Sequence, residues 1–224
     1  MKDSAQTIPV IGLGGGGHAR VVIEILRADA AYEIMGLLDS NRELQGQTIL
    51  GVPILGDDSR LPELVKQGIS HFFIGLGGVS SNAPRRRLFE FALQHGLQPV
   101  SAIHQRAIIS PSARLDAGVT IMAGAIVNAC ARLATNVIIN SGAIIEHDCI
   151  VQDHAHVATG ARLAGEVHVG SGAHIGLGAC VRQSLRVGRG AVVGAGAVVI
   201  EDVPEATVVV GVPARHLRKV IEQY

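Results

Sequence analysis

The 224-residue chain has no tryptophan, two tyrosines and four phenylalanines. So few large rings exclude a core built on aromatic packing and leave burial to branched aliphatics. Acidic and basic residues balance at 19 each, which argues against nucleic acid or a polybasic membrane patch as partner. Cys130, Cys149 and Cys180 are odd in number and lack metal-type CxxC spacing, so reduced thiols in a cytoplasmic protein are expected. No long hydrophobic run is present. The apolar stretch 8–13 is too short to span a bilayer and ends in glycines, and the first residues carry no leader pattern.

Glycine, by contrast, is abundant at 28 residues, and the small residues fall into a strict pattern. From Ile103 to Val199 every sixth residue is Ile, Leu or Val; four residues after each comes a small or apolar one, such as Ala107, Ala143, Cys149 or Ala197. A period of six fits neither a helix (3.6) nor a two-sided strand (2). It predicts a solenoid in which each hexad is one short strand plus a turn. Three hexads close a triangular coil, so the 17 register positions make between five and six coils. Stacked roughly 4.8 Å apart, they form a prism about 25 Å long. The period does not fix the hand of the coil.

Residues 1–100 read differently. Apolar runs at 7–13, 34–38 and 72–76 alternate with helical patterns at 19–30, 61–67 and 85–95, as in a small Rossmann-like α/β domain with a parallel sheet. Residues 101–204 are the β-helix. From Glu205, where the register fails, residues 205–224 form a C-terminal cap that shields the open end.

Two places carry candidate chemistry. Gly12, Gly14 and Gly17 match G-x-G-x-x-G between a strand and a helix, and Asp39 ends the next strand 22 residues on. Backbone amides there can cradle a phosphate and the carboxylate can take a ribose hydroxyl. About 100 residues is half of a full dinucleotide domain, so a nucleotide other than NAD(P) is favoured, with a structural turn as the plain alternative. The second place is a histidine group: His147, His154, His156, His168 and His174. His156 and His174 are one coil apart and should stack. His147 lies between Glu146 and Asp148, the setting of a general base whose second ring nitrogen a carboxylate holds protonated. Adjacent residues point to opposite sides of a strand, so only a turn lets Asp148 reach the ring. Cys149 occupies an inward slot, not a nucleophile's position. A zinc hydro-lyase using three histidines and a non-catalytic scaffold are the alternatives from other classes.

The stretch 139–149, Ile-Asn-Ser-Gly-Ala-Ile-Ile-Glu-His-Asp-Cys, together with His154-Ala155-His156-Val157 and Ala164-Gly165, resembles the hexapeptide-repeat sugar acetyltransferases of the sialic acid O-acetyltransferase type. Within that group it is most similar to N-acetyltransferases of nucleotide-linked 4-amino sugars, of the UDP-bacillosamine-pathway and GDP-perosamine kind. The resemblance spans the whole chain, including Gly-His at residues 17–18 and the Gly-Val-Pro-Ala-Arg tail at 211–215. It implies a left-handed coil, a homotrimer with acetyl-CoA between adjacent prisms, and no metal. By position it implies His147 as catalytic base tuned by Asp148, where bacillosamine-pathway relatives have Glu. It implies Asn140 near the sugar, and His156, Gly165, Leu177 and Ala195 near acetyl-CoA. Gly16, Gly17 and His18 would hold the nucleotide phosphates, Asp39 and Ser40 would lie near the base or ribose, and Gly77 would line the pocket. Four successive glycines, residues 14–17, stand where relatives often have Gly-x-Ser-Gly. O-acetylation of a sugar is the alternative within the same resemblance.

Overall fold

The computed structural model describes residues 7–78 and 81–220, and the chain divides into two compact units. One comprises residues 7–77 and 84–102; the other comprises residue 78, residues 81–83 and residues 103–220. Residues 1–6, which carry the expectation of no leader, and 221–224, the end of the cap, lie outside the described residues.

The first unit runs β1 (Ile8–Leu13), α1 (Gly17–Arg27), β2 (Tyr32–Leu38), β3 (Thr48–Ile49), β4 (Val52–Gly56), α2 (Leu61–Lys66), β5 (His71–Ile74), α3 (Ala83–Gln94) and β6 (Gln98–Pro99). The sheet order is β3-β4-β2-β1-β5-β6, parallel except for the β3–β4 hairpin. On one side, Val22, Ile23, Ile25 and Leu26 of α1 pack with Val10, Leu37 and Phe73. On the other, Ile11, Leu13, Leu38 and Phe72 pack with Leu61, Leu64 and Phe89. Burial on both faces is why β1 reads as a continuous apolar run. Two details correct the sequence reading. Helix α1 stops at Arg27 rather than Ala30, because the Asp29 carboxylate accepts the Ala31 amide at 3.0 Å and turns the chain into β2. The β3–β4 hairpin was not expected. Its turn needs positive φ at both Leu50 (49°) and Gly51 (78°), and leucine is no signal for that conformation.

In the second unit, 17 two-residue strands from Ala102–Ile103 to Val198–Val199 build three sheets. Each strand pairs in parallel with the one 18 residues later, as in Ile144↔Arg162 and Ile145↔Leu163, so three hexads do make one coil. From Ile121 on, the register residues and their small partners fill the interior, while Ile103 is exposed and Ile109 and Leu115 are only partly buried; each fully buried Val, Leu or Ile contributes about 1.5–3 kcal/mol. The residue three after each register position turns the corner in the left-handed region, from Gly118 to Gly196. Glycine takes this corner eight times; Cys130, Asn136, Asp148, His154, Glu166 and Ser184 take it otherwise. Each such side chain costs about 1 kcal/mol against the backbone.

The outward residue of each strand sets the chemistry of its face. The first face shows Thr120, Ile138, His156 and His174; the second Ile126, Ile144, Arg162 and Cys180; the third Arg114, Arg132, Ile150, His168 and Arg186. The C-terminal segment prolongs the first face. Thr207–Val210 pairs in parallel with Val192–Val193, and the exposed basic strand Arg215–Lys219 folds back antiparallel on it.

Candidate active site

The corner after Ile145 differs from the others. Ile145 and Cys149 point into the core, and Glu146, His147 and Asp148 form the turn between them. Asp148 has φ +59°, and its side chain meets the ring of its neighbour at this bend. The Nδ1–H of His147 donates to Oδ2 of Asp148 at 2.9 Å. A carboxylate only accepts, so this bond fixes the tautomer and leaves Nε2 with its lone pair. Both side chains are more than half exposed, at 58% and 56%. The hydrogen bond from Asp148 raises the pKa of His147, partial desolvation opposes the shift, and the charges of Asp148, Glu146 and Glu166 reinforce it. The Glu146 carboxylate is itself held by Asn128 Nδ2 at 3.0 Å.

Gly165 sits one coil further along the same corner. A Cβ there would lie 2.6 Å from both Cε1 and Nε2 of His147, so the ring lies over bare backbone. Cys149, fully buried, donates its thiol to the Ala164 carbonyl at 3.2 Å, and burial pushes its pKa up to about 11. That thiol is a core group, too weakly acidic to serve as a nucleophile.

His156 has a different setting, on the first face. It is 6% exposed. Its Nδ1–H donates to the Gly78 carbonyl at 2.8 Å, and its Nε2 accepts from Asn140 Nδ2 at 3.2 Å. The Asn140 Oδ1 in turn accepts the Ser141 amide at 2.8 Å. The ring of His174 meets His156 edge-on with centroids 4.9 Å apart, and burial lowers the pKa of His174. Asn82, also buried, donates to the carbonyls of Gly172 and Ala173. The sequence reading missed Gly78 and Asn82, because nothing local marks residues inside the α/β span, between β5 and α3, as belonging with the β-helix.

In the α/β unit the glycine loop lies at the carboxyl ends of the strands, where the sheet order reverses around β1. This is the usual ligand crevice of open α/β sheets. A Cβ on Gly12 would collide with Leu37 and Phe73, and Gly14 has φ +99°. Gly16 and Gly17, at the start of α1, have open space where a side chain would be. No side chain caps this helix and no acidic residue occupies its first turn, so its leading amides face outward. Both carboxylate oxygens of Asp39 are engaged: Oδ2 accepts the Gly15 amide at 2.7 Å and Oδ1 the Asn41 amide at 2.8 Å. Asp39 therefore shapes the loop, and only its remaining lone pairs are open to a ligand. Ser40 is exposed. His18 and Gly77 are neighbours: a Cβ at Gly77 would lie 3.5 Å from the His18 Cβ.

The expected residues thus fall into separate groups. His147, Asp148 and Gly165 share one corner of the β-helix. Leu177 (59% exposed) and Ala195 follow one another along a different corner, where the Gly196 amide donates to the Leu177 carbonyl at 2.8 Å. Asn140 and His156 sit at the first face, and Gly16, Gly17, His18, Asp39, Ser40 and Gly77 belong to the α/β unit. Among the described residues no group of three or more His, Cys, Asp or Glu is disposed to hold a metal ion, and no helix is long and apolar enough to cross a membrane.

Residues 10–91 match the family of the PglD N-terminal domain. Perosamine N-acetyltransferase from Caulobacter crescentus, solved with CoA and GDP-perosamine, is 40% identical; the alignment covers 93% of this chain and 96% of that one, with a TM-score of 0.87. The chain belongs to the nucleotide-amino-sugar N-acetyltransferase family. A second family member, the acetyltransferase domain of PglB from Neisseria gonorrhoeae in complex with acetyl coenzyme A, is 35% identical over 95% of this chain and 100% of that one, at TM-score 0.86. WeeI from Acinetobacter baumannii, 24% identical over 94% and 100% at TM-score 0.80, shares the fold. A search of curated proteins returns no match. The protein is an acetyltransferase, and its β-helix is left-handed as in these relatives.

Proposed function

We propose that this protein moves the acetyl group of acetyl-CoA onto the 4-amino group of a nucleotide-linked amino sugar, by direct transfer with His147 as general base. The observation that carries the reading is the His147–Asp148 pair, with Nδ1 bound to the carboxylate and Nε2 held free over Gly165. The amine nitrogen attacks the thioester carbonyl while its proton passes to Nε2. The carbonyl re-forms, the carbon–sulfur bond breaks, and the imidazolium returns the proton to the departing CoA thiolate. The buried, weakly acidic Cys149 argues against an acyl-enzyme. The open start of α1, with Gly16, Gly17 and His18, would receive the nucleotide phosphates. Asp39 holds the loop, while Ser40 and Gly77 would lie beside the nucleotide.

The separation of the acetyl-CoA residues supports a homotrimer. Gly165 and the Leu177–Ala195 pair lie along different corners of one β-helix, so a cofactor touching both sets would lie between two copies. From the first face, His156 would then lie beside the acetyl-CoA thioester and Asn140 near the sugar. The relative solved with CoA and GDP-perosamine puts GDP-perosamine first among acceptors to try, ahead of a UDP-linked 4-amino sugar.

The test is acetyl transfer by purified protein given acetyl-CoA and either sugar, followed by thiol release and by mass spectrometry of the product. An acetyl amide on one of the two sugars is expected. No transfer to either, or a base-labile ester product, would contradict the reading.

A further inference from the structure

The crevice at the glycine loop runs along the carboxyl ends of three neighbouring strands, β1, β2 and β4. The loop and α1 follow β1, Asp39 follows β2, and Asp57 and Asp58 follow β4. These ends meet closely. The Asp39 amide donates to the Gly56 carbonyl at 2.9 Å, and a Cβ on Gly15 would lie 3.0 Å from Ile54 Cδ1, 3.4 Å from Asp39 Oδ2 and 3.6 Å from Leu44 Cδ1. The three carboxylates differ in what they hold. Asp39 spends both oxygens on the Gly15 and Asn41 amides. Asp57 caps the short turn 58–60, accepting the Ser59 amide at 3.0 Å and the Ser59 hydroxyl. Asp58 is partly buried, yet its carboxylate accepts no hydrogen bond and joins no ion pair among the described residues. Burial raises its pKa, and the nearby charges of Asp57 and Asp39 raise it further. A carboxylate kept there without a donor costs the folded chain free energy. The helix start does not explain it, because Asp57 already supplies the cap.

We propose that Asp58 is the residue by which the crevice recognises guanine, its two oxygens accepting the adjacent N1–H and N2–H of the base. A carboxylate only accepts. It repels phosphates, which belong at the amides that open α1, and it suits a group that presents two parallel donors. Guanine has such an edge. Uracil has a single N3–H between two carbonyl oxygens, which a carboxylate meets with repulsion. The place agrees with the chemistry. Two strand spacings put the end of β4 roughly 10 Å from the end of β1, on the far side of Asp39, and a nucleoside extends that way once its phosphates sit on α1. Asp39, the carboxylate to which the glycine fingerprint points, then shapes the loop while Asp58 reads the base. The proposal rests on the nucleotide-sugar reading of this crevice and names the base it takes.

The test is calorimetric titration of the full-length protein with GDP, inosine diphosphate and UDP, in wild type and in Asp58→Asn. Asparagine keeps the shape but sets an amide donor against one of the two base donors. Wild type should bind GDP most tightly, and inosine diphosphate, which lacks the N2 amine, about tenfold more weakly. Asp58→Asn should lose about 10- to 100-fold in affinity for GDP while UDP changes by less than twofold. The unliganded variant should melt no earlier than wild type, because a partly buried carboxylate close to two others has been removed. GDP affinity within twofold of wild type in Asp58→Asn overturns the proposal, as does a wild type that prefers UDP. Equal weakening for GDP and UDP, the mark of a carboxylate on the ribose, also overturns it. So does a variant that melts earlier and loses both nucleotides alike, the mark of a structural role. A GDP preference that depends on Asp58, in a protein that acetylates neither sugar, keeps this proposal and removes the functional reading. Acetyl transfer to a GDP-linked sugar with unaltered GDP affinity in Asp58→Asn does the reverse.

Discussion

His147 and His156 are nine residues apart, yet the β-helix treats them oppositely. His147 sits on a corner, exposed, with one carboxylate partner and a free ring nitrogen. His156 sits on a face, buried, with both ring nitrogens committed, to a carbonyl on one side and an amide on the other. The corner raises the pKa of its histidine; the face lowers that of His174, which stacks on His156. Position within the hexad decides the outcome. A residue two after the register position reaches solvent at a bend, whereas the residue just before it stands on a flat sheet that other segments can cover. The proposed chemistry draws on the exposed corner, while the face holds its histidine buried and fully bonded.

The contrast can be broken in order of effect. His147→Ala should lower kcat by about 10²- to 10⁴-fold with an unchanged melting curve, measured by thiol release at saturating acetyl-CoA; a variant within twofold of wild type would remove the distinction. Gly165→Val should displace the ring and cost roughly 10²-fold in kcat, again with little change in melting, since the obstruction is to a side chain on the surface. His156→Leu should do the reverse. It leaves the Gly78 carbonyl and the Asn140 amide without their partner, which costs about 1–3 kcal/mol in denaturant unfolding. The smallest effect is at His174. Its folded pKa is depressed below the ordinary histidine value near 6.5, so in acid the unfolded chain binds the extra proton. Its contribution to stability is complete above about pH 6.5 and fades as pH falls from there toward the folded pKa. His174→Phe should flatten that part of a pH series of melting temperatures.

The β-helix was legible almost residue by residue, because a six-residue period carries its register with it, though not its hand. That register places Cys149 inside, stacks His156 on His174 and sets His147 beside a bend. The contact from Asp148 was open in the sequence, since it depends on the left-handed backbone at Asp148 itself. The α/β unit was legible as a class but not in its detail. The Leu50–Gly51 hairpin carries no turn signal at Leu50, and Asp39 is spent on loop amides that only the folded backbone brings near.

If the His147–Asp148 pair runs the chemistry, the pH dependence of kcat/KM will differ between wild type and Asp148→Asn, because the Asp148 hydrogen bond is the leading cause of the raised His147 pKa. Asparagine tolerates the left-handed corner, so the turn survives while the raising influence on His147 is lost. Wild type should lose activity as pH falls through an inflection above 6.5, where His147 takes up a proton. Asp148→Asn should show a lower maximum and an inflection shifted to lower pH. An inflection that stays in place in Asp148→Asn would contradict the account.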